Sequence, residues 1–115
     1  MPELSIDIEE MDGAQTLVRL GGFLDAHTFE QLDESIQEIF DGGISKIIVD
    51  LAGVEYISSA GAGVFIGSLA LAQEKGGNIV LVNPTESVQE VFDLLGLSQI
   101  FTIAATVAEA QGAFA

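Results

Sequence analysis

Residues Ile47–Val64 read IIVDLAGVEYISSAGAGV, and the fold is read outward from that stretch. Ile47, Ile48 and Val49 form an apolar run without polar alternation, the pattern of a strand covered on both faces. Asp50 follows, then a short loop, then Ser58 and Ser59 directly before a glycine- and alanine-rich helix. The two serines therefore stand at the mouth of a helix, at the carboxyl end of a parallel strand, where ligands and chemistry gather in open α/β sheets. Hydroxyls in such a place serve as plain caps, hold a phosphate, or accept one by phosphorylation.

On the N-terminal side, Leu4–Ile8 alternates as LSIDI, which suits a half-exposed edge strand. Asp12-Gly13 supplies a turn, and Thr16–Leu20 reads as the second strand of a hairpin, broken by Gly21-Gly22. From about His27 to Phe40 the apolar residues Phe29, Leu32, Ile36, Ile39 and Phe40 recur at helical spacing, and Gly42-Gly43 ends that helix. The central strand is Lys46–Leu51. A second helix runs from about Ala60 to Lys75 and stops at Gly76-Gly77.

Beyond it, Asn78–Val82 is another buried strand. Thr85 caps a third helix, Glu86–Leu95, with Gly96 past its end. Gln99–Ile103 reads as a short edge strand, and Thr106 opens a last amphipathic helix with Val107, Ala110 and Phe114 on one side. Strand–helix–strand units of this length demand a largely parallel sheet, and the opening hairpin makes the first strand antiparallel at an edge. The expected fold is an α/β sandwich with a mostly parallel sheet of four to five strands and about four helices. The chain of 115 residues forms one domain, with its core at about 4–111.

Composition narrows the function. The mean hydropathy is +0.47, so a membrane reading has to be tested. The longest run nearly free of charge, Ala60–Ala72, covers only about 13 positions, against the roughly 20 that a spanning helix needs. MPELSIDIEE has neither the basic nor the apolar region of a signal peptide. Without cysteine there are no disulfides and no thiolate chemistry, which fits a cytoplasmic protein. Arg19, Lys46 and Lys75 face 18 acidic residues, a formal charge of −15. Such a chain repels nucleic acid and anionic lipid. The acidity serves solubility or a salt-adapted host, or else it meets a partner with a basic face.

The serine loop fits catalysis poorly. Ile57 occupies the first glycine position of a G-x-S-x-G nucleophile elbow, and His27 is the sole candidate base. No lysine follows the glycines as a phosphate loop requires, and the scattered carboxylates form no metal site. Two serines in a row need only one cap. Behind them Ala60, Gly61, Ala62 and Gly63 strip side chains from the first turn, at about 1 kcal/mol of helix stability per glycine. That opens the turn to close approach by another molecule.

With the element order, the turn Gly22–Asp25, the segment IIVDL…YISSAGAGV and the later GGNIVLVNPTESVQEVFDLLGL, the chain resembles STAS domains of the anti-sigma factor antagonist family. The resemblance covers about Leu4 to Gln111. In that family the phosphorylated residue is the first serine of a loop usually written Asp-Ser-Ser/Thr/Ala-Gly. Anchored on Gly61, the acceptor falls on Ser59 and the usual aspartate on Ser58, a departure that removes a carboxylate; Ser58 is the second choice of acceptor. The usual bulky residue after the glycine is here reduced to Ala62.

The resemblance implies a switch and not an enzyme. The unmodified protein would bind an anti-sigma factor that is also an ATP-dependent serine kinase. Phosphorylation of Ser59 would release it, and a metal-dependent serine phosphatase would reset it. ATP and Mg²⁺ belong to the kinase, so this chain carries no cofactor. Asp25, at the end of an adjacent strand, either contacts the partner or caps the first helix. Asp50 is structural. The second helix is apolar around more than one face, so either neighbouring helices cover it or Ala62, Phe65 or Ile66, with Gly63 and Gly67, form an exposed strip beside Ser59 that docks the partner. The docking reading is preferred. The alternative function is a constitutive STAS scaffold or subunit of a signalling or lipid-transport complex, never phosphorylated. An isolated edge strand leaves both a monomer and a weak homodimer open.

Overall fold

A computed structural model describes residues 3–114, so Met1, Pro2 and Ala115 lie outside the account of the fold. The chain forms β1 (Leu4–Met11), β2 (Gln15–Leu24), α1 (Phe29–Asp41), β3 (Lys46–Ile57), α2 (Ser59–Glu74), β4 (Asn78–Val82), α3 (Glu86–Leu95), β5 (Thr102–Ala104) and α4 (Val107–Gly112). A single 3-10 turn, Leu97–Gln99, separates α3 from β5. The five strands lie side by side in sequence order, β1 antiparallel to β2 and every other neighbour parallel.

That sequential order has a consequence for the site. Ligand crevices in open α/β sheets form where the strand order reverses and helices diverge to opposite faces. Here it never reverses. Leu32, Ile36 and Phe40 of α1, Phe65 and Leu69 of α2, and Val88 and Phe92 of α3 all pack with Val18, Val49 and Leu81 in one core. The other face carries a smaller cluster, Leu17, Ile48, Val80, Val82 and Ala104, covered by Ala110 of the short α4. The serine loop therefore lies at no such switch point.

Four expectations need correction. Gly21-Gly22 does not break β2, which continues to Leu24. The glycines are where strands crowd: a Cβ on Gly21 would lie 2.7 Å from Ser5 Oγ, and Gly22 has φ +89. Without side chains the strand stays paired through two register shifts. For the same reason β3 does not end at Leu51. Residues 52–57 remain paired with β2 as far as Leu24↔Ile57, where a loop was expected. Thr85, the cap of α3, covers the edge of this extension by donating its hydroxyl to the Val54 carbonyl at 3.3 Å. β5 is Thr102–Ala104, not Gln99–Ile103, because Gly96 (φ 75) leads into the 3-10 turn before the chain can extend. Finally, α1 begins at Phe29, since residues 25–28 form a turn of their own.

Candidate functional site

The site is built by the ends of β2 and β3. The Ser58 N–H donates to the Leu24 carbonyl at 2.9 Å, which carries the β2–β3 pairing one residue beyond the strands. It sets Asp25, the next residue of β2's chain, beside the serine loop. At Ser58 the backbone is still extended (φ −97, ψ 171), and α2 starts at Ser59. Gly61 sits in the first turn because that turn is pressed against β2: a Cβ there would lie 2.6 Å from the Leu24 carbonyl oxygen.

This geometry separates the two serines. Ser58 is the N-cap: its hydroxyl accepts the Gly61 N–H at 3.2 Å, and its carbonyl accepts the Ala62 N–H at 2.9 Å. Ser59, the first helical residue, is exposed, and its side chain makes no hydrogen bond among the described residues. The helix end it occupies differs from the others in its own first turn. α1, α3 and α4 carry Glu30, Glu86 and Glu109 in their first turns, while α2 has no acidic residue there. In a chain with 18 acidic residues, α2 alone of the four helices has no carboxylate of its own in the first turn, and the acid beside its positive end is Asp25 of the neighbouring turn.

Asp25 closes the turn between β2 and α1. One carboxylate oxygen accepts the His27 N–H at 2.8 Å, while Thr28 donates its hydroxyl to the Phe23 carbonyl at 2.8 Å. Thr28, not Asp25, is the N-cap residue of α1, and it makes no side-chain cap bond. Asp50 has a structural partner, the Ala52 N–H at 3.0 Å, at the first irregularity of β3. His27 is exposed on the turn. Among the described residues no group of three or more His, Cys, Asp or Glu could hold a metal ion, and no helix is long and apolar enough to cross a membrane.

Along α2 the expected docking strip splits in two. Ala62 and Phe65 are buried, at 1% and 0% exposure, and neither presents a side chain to a partner. Phe65 meets Phe92 and Phe101 edge-on, with ring centroids 6.3 and 6.4 Å away. The apolar residues seen all round the helix in sequence are mostly core, because the sheet lies on one side and α1 and α3 flank it. What remains outside is Ser59, Ala60, Gly63, Ile66, Gly67 and Ala70, followed by Gln73 and Glu74 in the last turn, with Ile66 at 46% exposure the one large apolar side chain. Gly63 and Gly67 differ from Gly61: a Cβ on either would meet nothing within 4 Å. Internal packing does not ask for glycine at either place.

The family of STAS domains matches residues 5–110. The chain belongs to the STAS domain family. The anti-sigma F factor antagonist of Paenibacillus polymyxa is 33% identical over 104 residues, 87% of this chain and 86% of that protein. The anti-sigma factor antagonist SpoIIAA in its unphosphorylated form superimposes with a TM-score of 0.80 at 29% identity, covering 92% of each chain. The Bacillus cell fate determinant SpoIIAA in its phosphorylated form gives 0.73 at 28% identity, over 94% of this chain and 97% of that one. The mixed sheet with its antiparallel first strand and four helices is the STAS fold.

Proposed function

We propose that this STAS domain is an anti-sigma factor antagonist, a partner switch that binds an anti-sigma factor when unmodified and is released when Ser59 is phosphorylated. The observation that carries the proposal is the division of labour at the start of α2. The Ser58 hydroxyl is engaged as the helix cap, while the Ser59 hydroxyl is exposed at a positive helix end whose own first turn has no acidic residue. The departure from the family's aspartate is mild in this light. Serine and aspartate are equally good N-caps, so Ser58 keeps the cap without the carboxylate.

A phosphate on Ser59 adds about −1.5 to −2 charge beside backbone N–H groups that favour it, so the fold can carry it unchanged. Its effect then falls on the partner, through bulk and charge at the centre of a close contact. Gly63, Ile66 and Gly67 give that contact its shape: two gaps one turn apart on the helix surface, next to one apolar side chain. The kinase would be the anti-sigma factor itself, and a metal-dependent serine phosphatase would reverse the step. The chain performs no chemistry of its own in this scheme.

Incubation with the partner kinase, ATP and Mg²⁺, followed by intact-mass measurement, tests it. One phosphate is expected on the protein and on Ser58→Ala, none on Ser59→Ala, with loss of partner binding on modification. A phosphate that survives Ser59→Ala and disappears in Ser58→Ala reverses the assignment. Stable partner binding with no phosphate in any form favours the constitutive scaffold.

A further inference from the structure

The geometry points to the outer edge of β1 as a docking site for an extended, lysine- or arginine-bearing segment of a partner protein, added to the sheet as one more strand. β1 is an edge strand, paired on one side only. Its register with β2 runs unbroken from Leu4↔Gly22 to Met11↔Gln15, so its free edge is a straight template. Of the devices that blunt such edges, Leu4–Met11 has no proline, no bulge and no lysine; it carries only the carboxylates Asp7, Glu9 and Glu10, which repel acidic strands and admit a cationic one.

The side chains along β1 specify the occupant. Ile6 and Ile8 face the helix side, Ile6 half-buried against the core and Ile8 46% exposed. Ser5, Asp7 and Glu9 alternate onto the other face and are exposed. The cation on that face, Arg19, stands opposite Asp7 in register but is bound to Glu9 at 3.0 Å. Asp7 has no ion pair among the described residues. From Leu4 to Glu9 an added strand would meet apolar side chains on one face and Asp7 and Glu9 on the other, while at the far end Glu10 follows Ile8 and Met11 follows Glu9, so the matching segment alternates apolar and cationic residues. A second copy is the wrong occupant: β1 against β1 sets Asp7, Glu9 and Glu10 near like charges, in a chain of net charge −15. The surface shares no residue with the serine loop and stands whether or not Ser59 is modified.

The test is titration of the isotope-labelled full chain with the capped peptide Lys-Val-Lys-Val-Lys-Val-Lys at low salt, followed by NMR. The amides of Leu4–Met11 should shift and gain hydrogen-exchange protection, and added salt should weaken the binding. Asp7→Lys, at an exposed position, should weaken it by about tenfold or more. The same peptide N-methylated at every residue has no N–H to donate from either edge, cannot form the ladder and should leave β1 unperturbed. Equal binding by the N-methylated peptide, shifts centred elsewhere, or no binding at all would overturn the assignment and leave the acids of β1 as guards against aggregation.

Discussion

Leu24 leaves no room for a side chain at Gly61: a Cβ there would lie 2.6 Å from the Leu24 carbonyl oxygen and 2.7 Å from the Leu24 Cγ. The same carbonyl accepts the Ser58 N–H. One residue of β2 thus fixes both the last residue before α2 and the third residue of the helix. Gly61→Ala must push the helix start off β2. We expect a loss of about 1–3 kcal/mol, the usual range for overpacking, read as a lower urea midpoint at unchanged slope. Partner binding should fall with it, because Ser59 moves with the helix.

Ser58 and Ser59 should separate in stability as they do in geometry. Ser58→Ala removes the cap on the Gly61 N–H and should lose about 1 kcal/mol. Ser58→Asp restores an equivalent cap and should be close to neutral. Ser59→Ala removes an exposed hydroxyl and should lie within about 0.5 kcal/mol of the parent. Chemical denaturation of the three variants checks the ranking.

Gly63 and Gly67 offer a test in the opposite direction. Both lie inside α2 with open space where a Cβ would go, so Gly63→Ala and Gly67→Ala should each stabilise the protein by up to about 1 kcal/mol. If the partner approaches this face, the same substitutions weaken its binding. Melting temperature and calorimetric titration with the anti-sigma partner should therefore move oppositely. Unchanged affinity in the stabilised variants would remove this face from the interface.

Phe65 and Ile66 are neighbours with different expected fates. Phe65→Ala empties a site bounded by Phe92 and Phe101 and should destabilise by about 3–5 kcal/mol. Ile66, 46% exposed, loses much less on truncation, and its effect should appear in partner affinity with the fold intact. Comparing unfolding with binding for each variant distinguishes core from surface.

The pH response has one local source in Asp93. Hydrogen bonds from Ser98 and then Gln89 lower its carboxyl pKa below the ordinary 3.8, against a smaller desolvation effect. A carboxylate with a depressed folded-state pKa contributes stability that is present above its unfolded value and lost as pH falls through the folded one. The stability gap between the parent and Ser98→Ala should therefore shrink in acid below about pH 4, seen as converging urea midpoints. An NMR titration should show the Asp93 pKa rising in Ser98→Ala.

Local signals in the chain determined a large part of this molecule. Thr85 and Gly96 bracket α3, and Asn78–Val82 is β4 as read, because caps, glycine stops and apolar runs act within a few residues. The STAS family and the candidate acceptor were legible in YISSAGAG together with NIVLVNPTESVQEVFDLLGL. Tertiary structure decided what depends on neighbours distant in sequence. The extension of β2 and β3 through glycines exists because each supplies the other's hydrogen bonds, and neither strand reads as extended alone. The two faces of α2 could not be told apart in a helix apolar all round; only the sheet beneath it assigns Phe65 to the core and Ile66 to the surface. The cap at Ser58 and the free exposure of Ser59 likewise rest on one backbone contact to Leu24, which ends the strand and starts the helix between two adjacent, chemically identical side chains.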